Sequence, residues 1–178
     1  DEDGFYMFGD AMKLIDPDDP EKGMLFDGRL SENFKLSTGT WVSVGTLRTD
    51  VIATAAPVFQ DLIVCGHDRD YLGVLAWPEI AGCRNVSGLG ADADVRTLIG
   101  DPKVGAHVAK TLSAFNKIAG ASSRRIKRVI LMAEPAQIDA DEITDKGYIN
   151  QRAARERRAD LVHELYTDPP SDRVIEID

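Results

Sequence analysis

The stretch FDGRLSENFKLSTGTWVSV, residues 26–44, decides how the rest of the chain is read. Two strand-like runs, NFKLS and TWVSV, flank Thr38-Gly39, and a glycine-bearing turn between such runs is the pattern of a β-hairpin. Before it, residues 1–23 are rich in Asp, Gly and Pro around one apolar piece, AMKLID. The polar run DPDDPEKG lacks the alternating ligand spacing and distal Glu of a calcium loop and reads as a solvated turn. A boundary is expected near Asp27 to Arg29, where a regular α/β pattern begins.

Downstream of the hairpin, Leu47, Val51, Ile52 and Ala55 recur at helical spacing, and Pro57 closes that helix. DLIVCGH and YLGVLAWP then read as two apolar strands separated by the turn HDRD. Residues 79–100 are weakly patterned. Their Gly88-Leu89-Gly90 follows no strand and lacks the third glycine of a dinucleotide loop. Asp101-Pro102 caps and starts a helix whose buried face is expected on Val104, Val108, Leu112, Phe115 and Ile118, with Gly120 ending it. IKRVILMAE is the most strand-like run, DADEITDKGYINQR reads as a loop, and RERRADLVHELY as a final amphipathic helix on Leu161, Val162 and Leu165. The expected fold is α/β (α+β): a small mixed sheet with an N-terminal β-hairpin and flanking helices.

The bulk numbers narrow the function classes. The chain has 178 residues with 43% apolar and 29% charged content, which suits a globular domain. Its net charge of −9 argues against non-specific nucleic-acid or anionic-membrane binding. The one basic cluster, Arg124, Arg125, Lys127 and Arg128, reads as a turn entering a strand, with a phosphate contact as the lesser alternative. No apolar run approaches a bilayer span. The start DEDGFYMFGD carries neither an initiator Met nor a signal pattern and reads as a cut into a longer chain. Cys65 and Cys83 make no disulfide scaffold, so a reducing cytoplasm is the expected compartment.

Self-contained chemistry is hard to find. His67, His107 and His163 are scattered without metal-ligand spacing, and there is no Gly-x-Ser-x-Gly elbow. Three positions have the chemistry to meet a ligand. Asp10 follows a glycine in FYMFGDA, and a carboxylate there can accept from paired ribose hydroxyls. Arg29 in FDGR offers a planar donor fork. Lys146 precedes a glycine in TDKGYINQR. Singly, each also suits an ordinary turn.

Together, GFYMFGDAMKLIDPDDP, FDGRLSENFKLSTGTWVSV, IKRVILMAEPAQI and DEITDKGYINQRAARERRADLVHELY resemble the C-terminal portion of AMP-forming acyl- and aryl-CoA synthetases, the adenylate-forming ligase superfamily. Within it they look most similar to feruloyl-CoA synthases. The resemblance implies that residues 1–28 are the tail of a large nucleotide-binding domain and residues 29–178 a mobile C-terminal lid. It implies a carboxylate, ATP and coenzyme A as substrates, with Mg2+ accompanying ATP, an aromatic acid as acyl group, and AMP and pyrophosphate as products. The segment alone would be inactive without the N-terminal part of the same chain.

Residue by residue, the resemblance makes Asp10 a ribose ligand, with Phe8 where the family has Thr or Ser. It makes Arg29 a second nucleotide-sugar contact and puts the hinge at Ser31. Gly39 would lie on the loop lining the pantetheine tunnel with Thr40 and Trp41 flanking it, Trp41 packed on the hairpin's inner face being the alternative. A lysine acting on the carboxylate and α-phosphate is expected near the C-terminus. An ungapped register puts Tyr148 there, and Lys146 is the segment's only lysine. Two further readings stay open: the adenylation module of a carboxylic acid reductase, which loads a carrier thiol, and a non-enzymatic small α/β interaction domain.

Overall fold

The structure, a computed structural model, describes residue 4 and residues 9–178. Phe8 lies outside the described residues. Strand β1 (Asp10–Leu14) pairs antiparallel with β2 (Met24–Arg29), and the residues opposite one another include Asp10 and Arg29. A short 3-10 turn at Leu30–Glu32 follows. Next come the short hairpin strands β3 (Phe34–Lys35) and β4 (Trp41–Val42) and helix α1 (Val44–Thr54). The helix begins earlier than its apolar spacing predicts, at Val44, whose side chain is buried alongside those of Leu47 and Val51.

The main sheet has four strands in the order β5 (Phe59–Cys65), β6 (Leu72–Pro78), β7 (Ile126–Leu131), β8 (Val174–Glu176). β6 and β7 run parallel and the other neighbours antiparallel. Every residue of β6 is buried, as expected for a strand covered on both faces. Successive side chains leave opposite faces of a strand. Leu62, Val64, Val74, Ala76, Val129 and Leu131 therefore join the core under α1 and α4 (Pro102–Ile118). Ile63, Cys65, Leu75, Trp77, Ile130 and Met132 face α5 (Gln151–Arg157) and α6 (Ala159–Tyr166) on the other side. The mixed α/β architecture thus agrees with the expectation.

Several elements depart from it. The weakly patterned residues 79–100 contain two helices, α2 (Ile80–Ser87) and α3 (Val95–Ile99). Their N-caps, Glu79 and Asp94, accept from the backbone N–H of Gly82 and Thr97. α2 packs through Gly82, where a Cβ would come 1.8 Å from the Pro57 carbonyl oxygen, and its fully buried positions are the small residues Gly82, Cys83 and Ser87, with Ile80 and Val86 partly buried against the core. Ile118 belongs to α4 but is 84% exposed, because the stripe runs out with the helix and Ala119 packs against the core instead. The expected final helix is two helices broken at Arg158, which turns its guanidinium into the interior. Residues 174–176 add a fourth strand that their short, mixed sequence does not announce.

Cys65 and Cys83 are buried free thiols, and burial pushes them up to about 12 and about 11, which keeps both protonated at neutral pH. Among the described residues no helix is long and apolar enough to cross a membrane.

Candidate functional site

A cleft of about 650 Å³ opens between β2, the first turns of α1 and the segment after β7 that ends in α5. Arg29, Glu32, Arg48, Lys146, Tyr148 and Gln151 are among its lining residues. Residues far apart in sequence meet here because each segment is tied down independently.

Arg29 closes β2, and its strand partner is Asp10. The two candidate sugar contacts thus sit opposite one another on one hairpin, although Asp10 does not line the cleft. The hairpin meets α1 where Gly28 and Gly45 approach backbone to backbone, and Asp27 accepts hydrogen bonds from Thr46 Oγ1 and from Lys13 Nζ at 3.0 Å. The Thr46 and Lys13 contacts hold the Asp27 carboxyl below the usual range.

Lys146 is carried by a small hydrogen-bonded hairpin. Ile143 bridges Ile149, Thr144 N donates to Tyr148 O at 2.8 Å, and Gly147 N donates to Thr144 O at 2.8 Å. Gly147 has φ of +80°, which completes a three-residue hairpin loop whose last turn position wants glycine. The base of the hairpin is anchored by Glu142. Its carboxylate is fully buried and accepts from Arg158 Nε at 2.7 Å and from Gln137 N at 2.9 Å, and Arg158 also lies over the Trp77 ring. On the far side, Gln151 Nε2 donates to Leu62 O at 2.8 Å while its Oε1 accepts from Val64 N at 3.0 Å. That amide completes the open edge of β5, and it pins the chain just beyond the hairpin.

The charges around the cleft are unequally committed. Arg48 forms a two-pronged pair with Asp61, Lys13 pairs with Asp27, and Asp50 pairs with Arg124. Among the described residues neither Arg29 nor Lys146 has an ion-pair partner within 4 Å. Among the described residues the cleft therefore holds two cations, Arg29 and Lys146, and one carboxylate, Glu32, that form no salt bridge, in a chain of net charge −9. Burial raises the Glu32 carboxyl, with Arg29 and Arg48 opposing the shift. Lys146 and Tyr148 both face this space, so the two-residue ambiguity of register is spatially narrow.

Gly39, Thr40 and Trp41 lie apart from this cleft and none lines it. Gly39, at φ of +79°, donates its N–H to Leu36 O at 2.8 Å, Leu36 N donates to Thr40 O, and Ser37 N donates to Arg69 O. The turn is thus held against the connection between β5 and β6. Trp41 is 49% exposed, with Lys35 Nζ 5.9 Å from the ring centroid, so it does not pack on the hairpin's inner face. Ser31 is exposed at the centre of the 3-10 turn between Arg29 and Glu32.

Three of the four basic residues in the cluster have structural partners. Arg124 pairs with Asp50, Arg125 donates to Gly120 O, and buried Arg128 serves Leu165 O, Thr167 O and Asp168 at the mouth of β7. Sequence reasoning missed Arg48 and Gln151 as cleft residues, and no local pattern marks either. Glu32 was visible only as the neighbour of Ser31. Among the described residues no three His, Cys, Asp or Glu gather as metal ligands.

The family described as AMP-binding enzyme C-terminal domain matches residues 34–169. The chain belongs to that family. Solved structures agree on the fold of this C-terminal domain. The A domain of carboxylic acid reductase from Segniliparus rugosus, in complex with AMP and a co-purified carboxylic acid, is 22% identical over 93% of the chain, with a TM-score of 0.67. The adenylation domain of the carboxylate reductase from Mycobacterium chelonae is 22% identical over 94%, with a TM-score of 0.70. An ATP-bound RpMatB-BxBclM chimera is 19% identical over 91%, with a TM-score of 0.52. The chain spans about a quarter of the length of each: 24%, 24% and 26%. No curated protein matches it.

Proposed function

We propose that the chain is the lid of an adenylate-forming enzyme and that Lys146 supplies the cation for the first half-reaction. In that step a carboxylate oxygen attacks the α-phosphate of ATP, the bond to pyrophosphate breaks, and an acyl-adenylate forms. Negative charge gathers on the α-phosphate oxygens and the leaving group. A fixed ammonium offsets that charge without reorganising water. Arg29 and its strand partner Asp10 address the nucleotide sugar. The observation that carries this reading is the meeting of Arg29 and Lys146, remote in sequence and without ion-pair partners among the described residues, in one cleft.

Residues 1–28 are then the tail of the large domain, residues 29–178 the lid, and Ser31 the pivot between them. In the second half-reaction a thiol attacks the adenylate carbonyl and AMP leaves. Gly39, Thr40 and Trp41 form the rim past which the thiol arm enters, glycine allowing the close approach and Trp41 a flat wall. The location of this rim away from the cleft supports a lid that uses two faces in turn. The thiol is coenzyme A, the acid aromatic and feruloyl-like, Mg2+ accompanies ATP, and the enzyme works in the cytoplasm. A second reading, in which the thiol is borne by a carrier, is favoured by the similarity to the two carboxylic acid reductase domains.

The test is Lys146→Ala in the full-length enzyme carrying this segment. Carboxylate-dependent ATP–pyrophosphate exchange is expected to fall about 100- to 1,000-fold. Thioester formation from supplied acyl-adenylate should stay near the wild-type rate. Unchanged exchange would remove Lys146 from the role. The isolated chain should release no pyrophosphate with ATP and ferulate.

A further inference from the structure

How the β1–β2 hairpin is seated on α1 decides whether Arg29 and Lys146 face the same space, because Arg29 rides on the first element and the Lys146 hairpin is anchored to the main sheet. The seat is unusually close. A Cβ built on Gly45 would lie 2.7 Å from Gly28 Cα, and one on Gly28 would lie 3.1 Å from Gly45 Cα. Both opposing atoms are backbone, so no side chain can move aside. Next to this contact, Thr46 Oγ1 donates to Asp27, which also takes Lys13 from β1. Gly28, Gly45 and Thr46 themselves line the cleft.

We propose that Gly45 and Thr46 are positioning residues for the first half-reaction: they seat the nucleotide-gripping hairpin on the lid in the one arrangement that aims Arg29 and Lys146 at a common ligand. The inference rests on the lid reading above. Gly45 lies inside α1 with no positive φ, so alanine is compatible with the backbone there and is the better helix former. Among the described residues, the backbone of Gly28 is what a methyl group at this position would meet most closely. A Cβ at 2.7 Å must retreat by about 1 Å to reach ordinary carbon–carbon contact. A shift of about 1 Å in a reacting geometry costs up to about a hundredfold in rate.

The experiment compares Gly45→Ala and Thr46→Val in the full-length enzyme, reading the two half-reactions separately alongside the melting temperature. Gly45→Ala is expected to lower ATP–pyrophosphate exchange by about a hundredfold, and Thr46→Val by about tenfold through loss of one charge-assisted hydrogen bond. Thioester formation from supplied adenylate and the melting temperature should hold. Exchange at the wild-type rate in both variants overturns the proposal, and so does an equal fall in both half-reactions, which would mark general damage. Lys146→Ala run in parallel separates the two ideas. If it leaves exchange intact while Gly45→Ala lowers it, the lysine assignment fails and the seat stands. The opposite pattern removes the seat and keeps the lysine.

Discussion

The turn at residues 36–40 and the turn at residues 144–148 are the same backbone device. In each, the first residue's N–H bonds the carbonyl of the fifth, the fourth residue's N–H bonds back to the first carbonyl, and the fourth is glycine at φ near +80°. What differs is cargo and footing. The third position holds Thr38 in one and Lys146 in the other. The first turn leans on an exposed hydroxyl contact between Ser37 and Asp70, while the second stands on the buried Glu142–Arg158 pair. The fold thus uses one loop geometry twice. The difference lies in how firmly each is mounted and in the side chain it lifts out, a cation on the cleft at one and a neutral hydroxyl at the other.

The comparison can be broken first at its foundations. Glu142→Ala leaves Arg158 buried without its carboxylate, which should cost about 3–5 kcal/mol in a denaturant titration. Ser37→Ala, at the equivalent foot of the other turn, should cost no more than about 1 kcal/mol. Similar losses would show that the two turns are mounted alike. A smaller effect is expected from the glycines themselves. Gly147→Ala and Gly39→Ala each force a left-handed backbone on a residue with a Cβ, for about 1–2 kcal/mol. The kinetic damage should separate, with the first slowing pyrophosphate exchange and the second slowing thioester formation. The smallest effect is on pH. Burial raises the Glu32 carboxyl, so its contribution to stability is full below the ordinary carboxylate range and is lost as pH rises through its raised value. Glu32→Gln should flatten urea midpoints measured across that acidic window, and an unflattened profile would assign the dependence to another group.

The sequence was legible where burial imposes a pattern. β5, β6 and β7 are apolar runs because both of their faces are covered, and α4 shows a capping Asp, a first-turn proline and a regular stripe. It was illegible where packing runs through glycine or through distant partners. α2 places small residues such as Gly82 at its closest contact, and β1–β2, with Met12, Met24 and Phe26 exposed, lack the alternation of buried and exposed residues that marks a strand. Arg29 and Lys146 were both visible as chemistry, and the resemblance ordered them. Their meeting was not visible, since the ties responsible, Glu142 to Arg158 and Gln151 to β5, join residues with no local signature.

The pairing of Asp10 with Arg29 has a consequence for the reaction cycle. Under the proposed function, with Ser31 as the pivot, both residues precede it, so a swing would carry Lys146 away and leave the two of them paired. On that reading, custody of the adenosine moiety would be divorced from activation of its phosphate. The acyl-adenylate of the proposed reaction would then stay moored by its sugar while the lid exchanged one face for another, with no release and recapture between bond-making steps.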